Sequence, residues 1–161
     1  MRYEAFIDGS FKEDKESGVQ FYASAAIIAP EGTSDWTSLT QCGCEAEYIG
    51  MRNVAGETLA AMLVCEYCIN HLHLTPNDLL RINYDYKGIN SWLLKPGQPD
   101  FWKAKSTLAK IWRDYFYAYV KPAFAVGFRH TPGHSGIRGN EIVDKLARET
   151  VRKHLQEVTR S

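Results

Sequence analysis

The stretch Gly133–Arg148 reads G-H-S-G-I-R-G-N-E-I-V-D-K-L-A-R and joins a glycine-rich loop to the beginning of a helix. Its three glycines lack Cβ atoms, so we expect the loop around His134 to move and to approach another molecule closely. From Asn140 onward, apolar side chains recur at helical spacing and predict one buried stripe. Asn140, Asp144 and Arg148 follow one another at intervals of four and belong to a different face.

Asp144 is the residue of this stretch that suggests chemistry. It lies near the start of the helix, where the macrodipole favours a negative charge. We therefore expect its carboxylate to be ionised and available as a hard oxygen ligand. An alternative is an ordinary glycine-bearing turn in which Asn140 is the N-cap of the helix. The rest of the sequence decides between the two interpretations.

Length and charge limit the class of protein. A chain of 161 residues is long enough for one hydrophobic core, so we predict a single domain over residues 1–161. Nineteen Lys and Arg balance nineteen Asp and Glu, so any nucleic acid must bind a local patch. The sequence shows neither a long apolar run nor the pattern of a signal peptide. We expect a soluble, cytoplasmic monomer that does not associate with membranes.

Four cysteines are arranged as Cys42-x-Cys44 and Cys65-x-x-Cys68. A zinc site is one interpretation, since four thiolates can complete a tetrahedron. The first pair lies in a strand-like run and the second in a helical pattern, without the glycine-bearing turns of zinc ribbons. We therefore favour reduced, mostly buried thiols.

The sequence predicts an alternation of strands and helices. The predicted strands are residues 3–8, 21–29, 34–48, 79–84 and 122–129, and the predicted helices are 53–71, 89–94, 100–119 and the segment from Asn140. Short links between the first three strands favour an antiparallel meander. The order βββαβααβα predicts an α/β domain in which helices flank a mixed sheet.

Aromatic residues of the helix predicted at 100–119 recur at helical spacing. We expect this stripe to be core rather than a surface on which bases stack; it comprises Trp102, Trp112, Phe116 and Tyr119. His130 is expected to be a solvated loop residue. For Lys87, two residues after Asp85, contact with a substrate phosphate and simple solvation remain equal alternatives.

Four acidic residues lie where predicted elements begin or end: Asp8, Glu57, Asp85 and Asp144. Taken singly, such residues are ordinary solvated surface. If the strands of Asp8 and Asp85 are neighbours, the carboxylates come together and repel, so some take up protons unless cations bind. Oxygen ligands select Mg²⁺ or Mn²⁺, and two such ions about 4 Å apart can hold a phosphate and activate water.

Four segments of the chain resemble the signature segments of type 1 ribonuclease H, in the family's order and spacing: F-I-D-G-S, A-G-E-T-L-A-A, Y-D-Y-K-G-I and G-H-S-G-I-R-G-N-E-I-V-D-K-L-A. The resemblance covers about Tyr3 to Arg148. It implies the ribonuclease H-like fold, with a five-stranded mixed sheet of three antiparallel strands followed by two parallel ones. It also implies hydrolysis of the RNA strand of RNA/DNA hybrids, giving 5′-phosphate and 3′-hydroxyl ends.

The resemblance assigns roles to particular residues of this sequence. The four acids that would bind two Mg²⁺ ions, with Mn²⁺ possible, match Asp8, Glu57, Asp85 and Asp144. The loop histidine, which assists proton transfer or product release, matches His134. The substrate contacts implied fall on Gly9, Ser10, Asn53 and Asn140. No base-specific reader is implied, so cleavage should be largely independent of base sequence.

Two segments depart from the family's pattern. After D-G-S the chain reads F-K-E-D-K-E-S-G instead of a glycine- and asparagine-bearing loop, and Y-D-Y-K-G-I replaces the commoner aspartate-serine. The second feature resembles a bacterial subgroup related to viroplasmin-type ribonucleases H, here without their N-terminal hybrid-binding module. The region from Lys95 to Arg113 has several lysines where some family members carry a basic handle for the DNA strand, but their density is modest, so we expect weaker, salt-sensitive substrate binding. Rival hypotheses are a non-catalytic nucleic-acid-binding module, a nuclease domain serving a mobile or reverse-transcribing element, and a relative acting on DNA.

Overall fold

The computed structural model describes residues 1–133 and 136–159. In chain order it contains strands β1 (Arg2–Glu13), β2 (Gln20–Pro30) and β3 (Thr37–Gly43), helix α1 (Asn53–Asn70), strand β4 (Leu79–Tyr84), helices α2 (Gly88–Ser91) and α3 (Thr107–Tyr115), strand β5 (Ala125–His130) and helix α4 (Arg138–Thr159). A 3-10 turn precedes α1 and a π-helical turn, Phe116–Val120, follows α3. The predicted order of strands and helices is confirmed. In the part of the chain that is described, no helix has the length and apolarity needed to cross a membrane.

The five strands form one mixed sheet in the order β3-β2-β1-β4-β5. β1, β2 and β3 pair antiparallel, whereas β4 runs parallel to both β1 and β5. The predicted mixed sheet is therefore confirmed. Phe6 pairs with Asn83 at the end of the β1–β4 ladder, so the register places Asp8 opposite Asp85 just beyond it.

Strand β1 is longer than its sequence pattern indicates. It continues past Asp8 to Glu13, which pairs with Gln20 of β2. The hairpin closes where the Asp14 carbonyl accepts a hydrogen bond from Gly18 and the Asp14 carboxylate accepts one from Ser17. The predicted end of this strand at Asp8 was thus wrong, because antiparallel pairing with β2 extends it.

Two predictions about the helix over residues 100–119 also need correction: where it begins and which of its aromatic residues are buried. α3 begins at Thr107 rather than near residue 100, because Ser106 is the N-cap and accepts a hydrogen bond from the Ala109 amide at 3.1 Å. The preceding segment is irregular, and Asp100 has a φ of 68°. Trp102 therefore lies before the helix and is 39% exposed. Tyr119 also lies at the surface, whereas Trp112 and Phe116 are core residues as predicted.

Alternate residues of β1 face the two layers of helices. Ala5 and Ile7 belong to the larger core, which α1 and α3 cover. Phe6 faces the opposite way and packs with Val143 and Ala147 of α4. The buried stripe predicted for α4 is therefore present at these two residues, and Leu146 lies partly buried beside them. α4 begins at Arg138, so Asn140 lies in the first turn and is not the N-cap.

The four cysteines are free. Cys65 and Cys68 are buried, Cys42 is half-buried and Cys44 is exposed. Burial raises the pKa of the Cys42 thiol to about 11 and that of Cys68 to about 12, which keeps these groups protonated. The prediction of reduced, mostly buried thiols is borne out for all but Cys44.

Candidate active site

The site is built on an unusually close crossing of α1 over β1 and β2. A Cβ atom on Gly9 would lie 2.1 Å from the carbonyl oxygen of Asn53 and 2.3 Å from the amide nitrogen of Glu57. A Cβ atom on Gly56 would lie 2.0 Å from the carbonyl oxygen of Ala23. Only residues without side chains fit here. The crossing therefore brings the start of α1 directly against the strand that carries Asp8.

Glu57 is buried at this crossing, with only 4% of its surface exposed. Its Oε2 accepts a hydrogen bond from the Tyr86 amide at 2.8 Å. Burial raises the pKa of Glu57 to about 8; the Tyr86 amide opposes the shift, and the negative charges of Asp8 and Asp85 add to it. The Glu57 carboxyl group is thus held in surroundings that disfavour its ionised form.

Asp8, on β1, is the second carboxyl group at this crossing and is half-buried. Burial raises its pKa to about 7, the Gly9 amide opposes the shift, and the charges of Asp144 and Asp85 add to it. Asp8 is therefore linked electrostatically to the acids of both neighbouring elements.

Asp85 is exposed at the carboxyl end of β4, where it follows the last paired residue. Its Oδ1 accepts a hydrogen bond from the Gly133 amide at 3.0 Å. Its carbonyl oxygen lies 2.6 Å from Nε2 of His130. The expectation that His130 is a loop residue was wrong, because it ends β5 and contacts the backbone of a candidate site residue.

Asp144 projects from the second turn of α4 and is partly exposed. Its Oδ2 lies 3.2 Å from Nε and 3.1 Å from Nη2 of Arg148, one turn further along. This pair uses the spacing of four that the sequence shows. The ion pair holds Asp144 at the boundary between the acidic residues and a basic surface beyond them.

Three of the four predicted acids line one cleft of about 410 Å³, here called the acid cleft: Asp8, Asp85 and Asp144. Glu57 lines an adjoining cleft, and Asp85 borders both. Of the predicted substrate contacts, Gly9, Asn53 and Asn140 line the acid cleft. Ser10 does not, and faces the neighbouring groove instead. His134 lies outside the described residues.

The donors of the acid cleft are carboxylate oxygens, which suit Mg²⁺ or Mn²⁺ rather than zinc. Over residues 1–133 and 136–159, no three acidic, histidine or cysteine side chains already stand in the arrangement of a metal site. The raised pKa values of Asp8 and Glu57 follow mainly from burial, and repulsion from the neighbouring carboxylates adds to them. A divalent cation relieves that repulsion, so the residues fit the metal by their chemistry.

The adjoining cleft contains groups that the sequence analysis did not assign to the site. Trp102 packs edge-to-face on Tyr86, with ring centroids 5.9 Å apart, and Lys87 and His130 complete the wall. Trp102 was expected in the core because its spacing matches the helix that follows. Pro96, Gly97 and Pro99 were the signal against a helix at this point.

Comparison with known proteins supports the fold. No protein-family model and no curated protein matches the sequence. Among solved structures, the chain is similar to the N-terminal RNase H domain of a Mycobacterium tuberculosis protein, with a TM-score of 0.67, 15% identity, and coverage of 96% of this chain and 98% of that one. It is also similar to RNase H1 from the halophilic archaeon Halobacterium salinarum, with a TM-score of 0.65, 15% identity, and coverage of 95% and 99%.

A third similar structure is a foamy viral protease-reverse transcriptase solved in complex with dsDNA. The TM-score is 0.61 at 14% identity, and the match covers 91% of this chain and 92% of that one. The chain therefore has the ribonuclease H fold, as its sequence predicted. Function has to be argued from the site, since one fold hosts many activities.

Proposed function

We propose that this chain is a metal-dependent endoribonuclease that hydrolyses the RNA strand of RNA/DNA hybrids and leaves 5′-phosphate and 3′-hydroxyl ends. One observation carries the proposal: carboxyl groups from β1, α1, β4 and α4 meet at one edge of the sheet. Crowded carboxyl groups raise one another's pKa values and destabilise the fold, so a structural role alone does not account for them.

Asp8, Glu57, Asp85 and Asp144 would hold two Mg²⁺ ions, or Mn²⁺, which supply Lewis-acid stabilisation of a phosphate and an activated water. The Tyr86 amide fixes the Glu57 carboxylate and the Gly133 amide fixes that of Asp85, so both are oriented before substrate binds. His134 would assist proton transfer or product release from the loop beside Gly133.

Substrate selection would rely on shape and on 2′-hydroxyl groups. Gly9, Asn53 and Asn140 border the acid cleft, with backbone groups and short amides of the kind that contact a minor groove. Ser10 would contact the strand just beyond the cleft. None of these groups reads base edges in a major groove, so sequence-independent cleavage is expected.

A second candidate keeps the chemistry and changes its context. The similarity to a foamy viral protease-reverse transcriptase supports a nuclease domain that serves a reverse-transcribing or mobile element. A non-catalytic nucleic-acid-binding module of the same fold is the remaining alternative. A cytoplasmic monomer remains our prediction for the state of the protein.

Labelled RNA/DNA hybrid, duplex RNA and duplex DNA, each incubated with the protein in Mg²⁺, Mn²⁺ or EDTA, test the proposal. We expect the RNA of the hybrid alone to be cut, with new 3′-hydroxyl ends, and EDTA to abolish cutting. Cutting of duplex DNA would favour the relative that acts on DNA. Binding of hybrid without cutting in either metal would favour the non-catalytic module.

A further inference from the structure

A basic groove of about 550 Å³ lies beside the acid cleft, between the distal part of β1 and α4. The residues that line it include Ser10, Lys12, Lys145, Arg148, Glu149 and Arg152. Four of these are basic and one is acidic, in a chain whose formal net charge is zero. The groove is therefore a local concentration of positive charge of the kind that a phosphate backbone requires.

The direction of the groove follows from the two elements that form it. Phe6 of β1 packs on α4, and side chains alternate along a strand, so Asp8, Ser10 and Lys12 share the face that looks toward α4. On α4, Arg148 and Arg152 follow Asp144 at successive turns and line the groove. On β1 the series thus begins with Asp8 in the acid cleft and ends with Lys12 in the groove. On α4 it begins with Asp144 and continues to Arg148 and Arg152.

Arg148 joins the two regions, because it lines the groove while its guanidinium contacts Asp144 at 3.1 Å. Lys145 lies 3.9 Å from Glu149, an exposed pair of small energetic worth. Among the described residues, Lys12 and Arg152 have no acidic partner within 4.0 Å. These two cations are consequently available to an anion from outside the chain.

We propose that the basic groove binds backbone phosphates of the strand that is cut, on one side of the scissile phosphodiester. This inference rests on the proposed function. Lys12 lies four residues beyond Asp8, about 13 Å along a strand, and Arg152 lies eight residues beyond Asp144, about 12 Å along a helix. At about 3.4 Å of axial rise per nucleotide, the groove reaches three to four nucleotides from the cut.

The segment F-K-E-D-K-E-S-G, which departs from the family's pattern, acquires a role in this way. It forms the distal part of β1 and the following turn instead of a glycine-rich loop, and its Lys12 enters the groove. Phosphate contacts there replace contacts that the usual loop would make. The positive charges of the groove are side chains of the protein, so they attract phosphates with or without bound metal.

The test compares two double charge reversals that involve neighbouring positions. Lys12→Glu with Arg152→Glu alters the groove, whereas Lys15→Glu with Lys153→Glu places the same charges outside it, on exposed residues of the turn that follows β1 and of α4. Binding of labelled RNA/DNA hybrid is measured by anisotropy in EDTA over a range of salt concentrations. Thermal unfolding establishes that both variants are folded.

We expect the groove variant to bind hybrid about tenfold or more weakly at about 50 mM salt, and to lower the salt slope by about one per lost contact. The control variant should bind as the unmodified chain does. Equal binding by the two variants would overturn the groove proposal even if the unmodified chain cuts hybrid. A binding difference in a chain that cuts nothing would sustain the groove and overturn the proposed function.

Hybrids shortened on one strand identify which strand crosses the groove. Removing three to four RNA nucleotides from one side of the cleavage position should abolish the difference between the two variants, while removing DNA nucleotides should preserve it. The reverse pattern would overturn the assignment to the cut strand. Failure of the unmodified chain to bind any hybrid, with capture of an acidic protein instead, would also overturn the proposal.

Discussion

The acid site has a buried half and an exposed half, and the two are held in place by different means. Asp8 and Glu57 lie at the glycine-mediated crossing of α1 and β1, where neighbouring backbone fixes their positions. Asp85 and Asp144 lie toward solvent, and each is held by one reversible partner, the Gly133 amide or Arg148. The difference teaches that this protein places the carboxyl groups whose pKa values burial raises where its backbone is most constrained, and keeps adjustable carboxylates on the open side of the site.

The largest expected effect is on the exposed half. Asp85→Asn removes a charge that borders both clefts, and we expect cleavage of hybrid to fall about 10⁴-fold or more. Stability should change by less than about 0.5 kcal/mol because the side chain is exposed. The measurement is single-turnover cleavage, with the exposed Asp35→Asn as a matched control. Equal rates for the two variants would refute the assigned site.

The crossing itself is tested by Gly56→Ala. The new methyl group meets the Ala23 carbonyl oxygen, which belongs to the backbone and cannot move aside. We expect a loss of about 2–3 kcal/mol in the free energy of unfolding, together with reduced cleavage as Glu57 is displaced. Gly50→Ala is the control, since nothing lies within 4 Å of its added atom. Equal denaturation midpoints for both variants would mean that the crossing tolerates a side chain.

The effect of His134 on cleavage is expected to be similar to that of the crossing or smaller. His134→Ala should slow cleavage about 10²-fold while leaving measurable activity, because a general acid typically adds that much and the metal ions would supply most of the barrier lowering. Cleavage rates at saturating substrate in Mg²⁺ provide the measurement. If the variant were as inactive as Asp85→Asn, His134 would have a larger role than we assign to it.

The smallest expected effect is on the pH dependence of stability that Glu57 causes. The folded pKa of Glu57 is raised from 4.5 to about 8, so its contribution to stability is fully present below about pH 4 and is lost as pH rises through 8. Without metal, Glu57→Gln should therefore unfold several degrees above the unmodified chain at pH 9, and the gap should close at pH 5. Mg²⁺ should stabilise the unmodified chain more than the variant.

Thermal unfolding in EDTA at the two pH values is the measurement for Glu57→Gln, with Asp85→Asn as the control. The Asp85→Asn variant should show little of the pH-dependent gain in unfolding temperature that is expected for Glu57→Gln. A Glu57→Gln variant whose unfolding temperature parallels that of the unmodified chain at every pH would mean that burial does not raise the pKa of Glu57.

Sequence patterns were sufficient for the order of elements, because local periodicity and turn residues mark each strand and helix. They also implied that Asp8 and Asp85 come together if their strands are neighbours, and the β1–β4 register bears out that pairing, although β1 continues past Asp8. They missed the extension of β1 to Glu13, because pairing with Gln20 and its neighbours is a non-local contact. Pairing partners that are distant in sequence leave little trace in a local pattern.

The exposure of Trp102 was missed for a different reason. Its spacing from Ala109 and Trp112 is compatible with a helix, yet the helix begins only at Thr107. The basic groove was also out of reach, because Lys12 and Arg152 are distant in sequence and their elements are aligned by tertiary packing, such as that of Phe6 on α4. The Arg148–Asp144 pair, by contrast, follows directly from a spacing of four.

The distribution of the thiols has a practical consequence for watching substrate bind. Cys44 is the exposed member of the four cysteines, just beyond β3, while Cys65 and Cys68 are enclosed. Its near neighbour Cys42 is turned toward the Thr150 carbonyl of α4, which places this end of the sheet alongside the helix that carries Arg148 and Arg152. A maleimide dye should therefore attach mainly at Cys44 and report, by its fluorescence, when a nucleic acid arrives along that helix.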